Sequence, residues 1–202
     1  MTFTFATVKY ESGDWESAPN LPAALIDTLA KYTTLPLSPS GAIVELGSDE
    51  IFEYPFTFMT GHFPVRFTDR ERANLRRYID RGGFMLIDDH NHDIEGVFHL
   101  SVVEEMNRIF GGLEVVPNDH EIYRAFFTFE DGPPTTSHEM NGWGDQLVHE
   151  ELFAVFRNGR IGLLYSNKDY SSEWDMRPES KRFMGLDPTL FGVNLVVYAL
   201  SR

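Results

Sequence analysis

The sequence predicts an α/β fold: a mainly parallel central sheet flanked by helices, with a C-terminal β-hairpin and a terminal helix. Three observations carry this. Short β-branched or aromatic runs alternate with helix-period segments through residues 3–117, the pattern of a parallel sheet covered on both faces. Two of the helical segments begin with the residues of a capping box. ELFAVF (151–156) and RIGLLY (160–165) flank Asn158-Gly159, the dipeptide of a type I′ hairpin turn. The 202 residues fit one domain, 1–202, with enough chain for a real core.

The elements follow in order. FTFATVKY (3–10) reads as the first strand. Asn20 is placed to cap a helix with Pro22 in its first turn and Leu25, Leu29 and Tyr32 on one face, and Pro36 forbids its continuation. AIVEL (42–46) and FTFMT (56–60) are the second and third strands, the third ending in Gly61-His62. TDRE (68–71) fits a capping box for a helix over 69–81, which Gly82-Gly83 ends. FMLID (84–88) is the fourth strand. SVVE (101–104) fits a second capping box, for a helix over 101–110 ended by Gly111-Gly112, and LEVVP (113–117) is a fifth strand. Residues 131–145, DGPPTTSHEMNGWGD, form a loop rich in turn residues. Asp187-Pro188 opens a last helix with Phe191, Leu195, Tyr198 and Ala199 on one side and Val193, Val196 and Val197 on the other, a pattern of burial nearly all round.

Composition excludes several chemistries. The chain has no cysteine, so disulfides, thiolate metal sites and a cysteine nucleophile are impossible. A net charge of −14 repels phosphate backbones and argues against nucleic acid. Arg66, Arg70, Arg72, Arg76, Arg77 and Arg81 read as a solvated helix face balanced by Asp69, Glu71 and Asp80. No apolar run has membrane-spanning length and no leader is visible in MTFTFATVKY, so the expected compartment is the cytoplasm, although a leader removed beforehand would leave no trace.

GGFMLIDDHNHD (82–93) concentrates the chemistry. In open α/β sheets ligands bind beyond the carboxyl ends of the strands. Tyr10, His62 and the 88–93 cluster all fall there. Imidazole and carboxylate together suit zinc, iron or manganese, and Asp88, Asp89, His90 and His92 are the expected ligands. The competing reading is a capped, hydrogen-bonded turn. His62 is a candidate ligand or general base, against a plain backbone-bonded imidazole. In the long loop, His138 and Glu139 can form a general-base pair, and Asn141 and Trp143 can contact a ligand, against a self-packed Ω-loop. After the last strand, Lys168, Asp169, Tyr170, Glu173 and Trp174 offer directed groups, with Lys168 able to hold an anion; the competing reading is a charged connection. The loops 135–143 and 166–174 are expected to fold over one rim. His62, Asp88, His90, His138 and Glu139 are thus the catalytic candidates.

FTFATVKY, TGHFPVRF, GGFMLIDDHNHD, TTSHEMNGWGD, LLYSNKDYSSEW and GVNLVVYAL together resemble a bacterial family of unknown function, DUF4159, over nearly the full length. The strand, TGH, capped helix, GG, strand and acidic turn are also similar to the class I glutamine amidotransferase-like, or flavodoxin-like, fold. That resemblance implies a cysteine on the turn after a central strand. This chain has none, and His90 lies near that place, so cysteine-dependent glutamine hydrolysis is ruled out. The family resemblance also implies association with MoxR-type AAA-plus ATPases. Two functions follow as expectations: a ligand- or metal-binding domain with metal-assisted hydrolytic activity, or a non-catalytic interaction module in an ATPase assembly.

Overall fold

Five strands run parallel in the order β2-β1-β3-β4-β7: β1 (Ala6–Lys9), β2 (Ala42–Glu45), β3 (Phe56–Gly61), β4 (Phe84–Asp89) and β7 (Arg160–Ser166). β6 (Phe153–Arg157) returns antiparallel to β7, and β5 (Glu114–Val115) adds antiparallel to β6. The structure, a computed structural model, describes residues 2–140, 142, 146–175 and 187–201. The resulting sheet is mixed, seven-stranded and mostly parallel.

Both faces of the sheet are apolar, so side chains of the central strands are divided between two cores by the two-residue period. Phe56, Phe58, Phe84, Leu86 and Leu164 point to one face. There they meet α1 (Leu21–Tyr32), α5 (Tyr170–Asp175) and α6 (Asp187–Leu200) through Leu25, Leu29, Trp174, Phe191 and Leu195. Met59, Met85, Ile87, Leu163 and Tyr165 point to the other face, against α2 (Asp69–Asp80) and α3 (Val97–Phe110) through Leu75, Tyr78, Phe98, Val102 and Met106. α6 is buried on nearly every side, as its composition requires. Among the described residues no helix is long and apolar enough to cross a membrane.

Local signals hold unevenly. The α2 capping box is complete: Glu71 N–H donates to Thr68 Oγ1 at 3.2 Å, and Thr68 N–H donates to Glu71 Oε2 at 2.8 Å. Asn158 and Gly159 have φ of 52° and 77°, as a type I′ turn requires. Asn20 does precede α1, but its backbone is already helical and its side chain makes no cap bond. The first strand pairs regularly only from Ala6, while Phe3 forms an isolated parallel bridge with Leu37.

The second capping box is not formed. α3 begins at Val97, and Ser101 lies inside it. The Ser101 hydroxyl bonds back to Val97 O at 2.7 Å, as serine does within helices, and accepts Val65 N–H at 2.8 Å. The arginine face is also more than solvated surface. Arg72 makes two bonds to the buried Glu105 carboxylate, at 2.8 and 2.9 Å, and so ties α2 to α3.

Thr68→Ala removes one orphan-donor partner of α2 and should destabilise the protein by about 1 kcal/mol. Urea denaturation checks this: the midpoint falls while the slope stays unchanged.

Candidate functional site

The parallel strands deliver their carboxyl ends to one edge of the sheet. Thr60 on β3 is level with Asp88 on β4, which is level with Ser166 on β7. The segment after β7 therefore lands beside the 88–93 cluster. Asp169 has φ +58°, a left-handed conformation that aspartate tolerates better than most residues. Its carboxylate is almost fully buried.

Three imidazoles surround that carboxylate. His90 Nδ1 lies 3.1 Å from Asp169 Oδ1. His138 Nε2 and His92 Nδ1 lie 3.3 and 3.6 Å from Oδ2. Oδ1 also accepts the Ser171 hydroxyl at 3.0 Å and the Ser172 N–H at 3.2 Å. The His92 and His138 rings stack at 4.3 Å, and His62 meets His90 edge-on at 4.6 Å. Burial by itself would raise the Asp169 carboxyl. The imidazoles of His138, His90 and His92 packed against it, with the charge of His90, outweigh that and hold the group well below the carboxylate range. Reciprocally, the Asp169 bond raises His138 above the usual imidazole value.

The ligand atoms that converge are those of His92, His138 and Asp169, all within 4.8 Å of one another. This group shares only His92 with the ligand set expected from Asp88, Asp89, His90 and His92. Successive strand residues face opposite ways, which separates the two aspartates. Asp88 Oδ2 accepts Ser171 N–H at 2.7 Å, and its Oδ1 is buried without a partner. Burial, then the neighbouring Asp169 charge, raises its pKa. Asp89 Oδ1 accepts Asn91 N–H at 2.9 Å, its Oδ2 is likewise orphaned, and burial pushes it up to about 7. The chain then turns rather than extending, with His92 at φ +42°. Asp93 closes a local turn onto Glu95 N–H.

The described parts of the two later loops meet over this rim. α4 (Ser137–Met140) presents His138. It is held by Glu173, which accepts both Ser137 N–H and the Ser137 hydroxyl. Buried Lys168 donates to Glu139 Oε1 at 2.6 Å, and Glu139 Oε2 takes Thr136 N–H and hydroxyl. Lys168, Glu139 and Glu173 therefore spend their polar groups on docking the loop. Tyr10, Tyr170 and Trp174 lie in the core instead of lining the rim. Their polar tips donate to Thr60 O, Pro134 O and Pro188 O at 3.0, 2.6 and 2.6 Å, as buried aromatic hydroxyls and indoles require. Asn141 and Trp143 lie outside the described residues.

Two participants carry no sequence signal. Ser171 bridges Asp88, Asp169 and His90. Asp14, in the ESGDW turn, places Oδ2 2.6 Å from His62 Nδ1, and its Oδ1 accepts the N–H groups of His62 and Phe63 at 2.8 and 3.2 Å. Burial would raise Asp14, but these bonds outweigh it and lower the group below its ordinary value.

Fold and site together define a doubly wound α/β domain with a histidine–carboxylate rim. A family model, Domain of unknown function (DUF4159), matches residues 4–200, and the chain belongs to that family. No curated protein matches it.

Two outcomes test this geometry. A Cβ at Gly61 would overlap the Tyr10 hydroxyl and press on Asp14 Oδ1, so Gly61→Ala should destabilise by about 1–3 kcal/mol in urea titration, as overpacking does. Asp89 binds its proton more tightly folded than unfolded. Its contribution is full below about pH 4 and is lost as pH climbs through about 7. With chelator present, Asp89→Asn should flatten the decline of melting temperature between pH 5 and 8; an unchanged slope would contradict the assignment.

Proposed function

We propose that His92, His138 and Asp169 bind one divalent transition metal and that the domain is a metal-assisted hydrolase. The observation that carries this is the convergence of three ligand atoms from separate segments after β4, on α4 and after β7. His92 Nδ1 supports it, because this atom is buried, lacks a hydrogen-bond partner and faces Asp169 Oδ2 at 3.6 Å, too far for a hydrogen bond. Two of the three ligands also occupy left-handed backbone, the kind of local strain that concentrates at functional sites. Two imidazoles and one carboxylate are the donor set of catalytic zinc sites and of mononuclear iron sites, both of which leave a position open for water or substrate. Manganese is the third candidate. His90, bonded to Asp169 Oδ1 and 3.0 Å from Ser171 Oγ, would orient the carboxylate from outside the ligand set.

A second reading is favoured by the docking bonds of Glu139, Lys168 and Glu173, which leave those groups little chemistry to perform. In it the rim is a static polar clasp in a non-catalytic module, with an AAA-plus ATPase as partner.

Metal binding separates the two. Tag-free protein should take up about one equivalent of zinc, iron or manganese by calorimetry and mass spectrometry. Metal at about a hundredfold over Kd stabilises a native state by about 2.7 kcal/mol. For a chain of this size that raises Tm by roughly 5–10 °C, and chelator should reverse it. Asp169→Asn should weaken binding by about 100-fold or more, since even outer-shell changes weaken it by about 10–100-fold. No bound metal and an unmoved Tm would favour the clasp.

A further inference from the structure

We propose that Asp14 and His62 form a general-base pair for this site, with His62 Nε2 as the base, Asp14 as its positioning residue and a neutral ester or amide as the substrate. The proposal rests on the hydrolase reading above. It is carried by geometry that the metal ligands do not explain. The His62–Asp14 contact is 2.6 Å, and Asp14 is itself fixed by two backbone N–H groups. An ionised carboxylate can only accept, so the Nδ1 nitrogen of His62 carries a proton, and in the neutral imidazole the lone pair is then on Nε2. A carboxylate, an imidazole and a forward-facing lone pair are the parts of an oriented general base.

The placement suits that role. β1 and β3 are the strands between which the order reverses, and the crevice outside such a switch point is where doubly wound sheets bind ligands. Asp14 comes from the loop after β1, and His62 follows β3 directly. The His62 side chain is 39% exposed, so it can meet solvent and substrate, whereas that of Asp169 is 2% exposed. The His62 ring stands edge-on to His90, which bonds Asp169. The base is therefore one imidazole away from the candidate metal position and outside the converging ligand group. Gly61 makes the approach feasible, because a side chain there would collide with Tyr10 and Asp14.

Charge selects the substrate class. Asp14, Asp93 and Asp169 lie at this edge, Lys168 is committed to Glu139, and the chain carries −14 overall. Phosphate esters and carboxylate substrates would be repelled. In the proposed step a water gives its proton to His62 Nε2 while its oxygen bonds to the carbonyl carbon. The carbon–oxygen or carbon–nitrogen bond to the leaving group then breaks, and that group takes the proton back from His62.

The test uses the full chain, zinc-loaded, with p-nitrophenyl acetate as probe over many turnovers, and compares wild type with His62→Gln and Asp14→Asn. Zinc affinity by calorimetry checks folding and the metal site separately. Both variants should bind zinc within about twofold of wild type. His62→Gln should lose about 100-fold or more of the zinc-dependent kcat with KM little changed, and Asp14→Asn should lose part of the same factor. Wild type should also show a far-downfield imidazole N–H proton resonance that Asp14→Asn abolishes, a signature a mere loop clasp without the oriented tautomer would not give. Retained activity in His62→Gln, or no zinc-dependent turnover in a wild type that binds zinc, would overturn the base pair and leave the metal site standing. Failure of wild type to bind zinc, iron or manganese would overturn the metal reading and this proposal with it.

Discussion

A buried aspartate organises the carboxyl edge of this domain. Asp169 is taken out of water on a left-handed turn, and a carboxylate so placed is strongly unfavourable without compensation. Its partners come from segments far apart in the chain: His90 and His92 after β4, His138 on α4, and the serines of α5. Satisfying one carboxylate therefore fixes three loops at once. The Lys168–Glu139 and Glu173–Ser137 bonds hold the same loops from beneath.

That arrangement explains why buried charge is tolerated unevenly. Asp169 gathers donors and remains ionised. Asp88 and Asp89, a strand's width away, each keep one buried oxygen without a partner and are driven toward the protonated form. Carboxyls so close together cannot all ionise in a dry setting, and the geometry assigns the charge to the one facing the imidazoles. A metal ion on His92, His138 and Asp169 would give that charge its counterpart and would engage the orphaned His92 nitrogen.

Much of the fold is legible in the sequence because its signals are local. The capping box at Thr68, the turn at Asn158-Gly159 and the short β-branched or aromatic strand runs each report on a few neighbouring residues, and each appears as read. SVVE failed because its spacing is common and Ser101 found partners inside a helix already begun at Val97. The rim was legible only in part. His62, His90, His92 and Asp169 could be placed beyond strand ends, and His138 in a long loop expected to fold over the same rim. Which of them converge depends on β7 lying beside β4, a long-range pairing with no local mark. Asp14 was invisible for the same reason, since only folding brings the ESGDW turn against His62. Tyr10, Tyr170 and Trp174 misled because aromatic residues beside a site are equally suited to filling the core beneath it.

The proposed metal centre comes down to one coordination shell. X-ray absorption at the zinc edge of the loaded, tag-free protein reads it most directly. Zinc held by His92, His138 and Asp169 should show a first shell of nitrogen and oxygen at about 2.0–2.1 Å, with the outer scattering of two imidazoles that becomes one imidazole in His138→Ala. An all-oxygen shell without imidazole scattering, or a spectrum unchanged by that substitution, would contradict it.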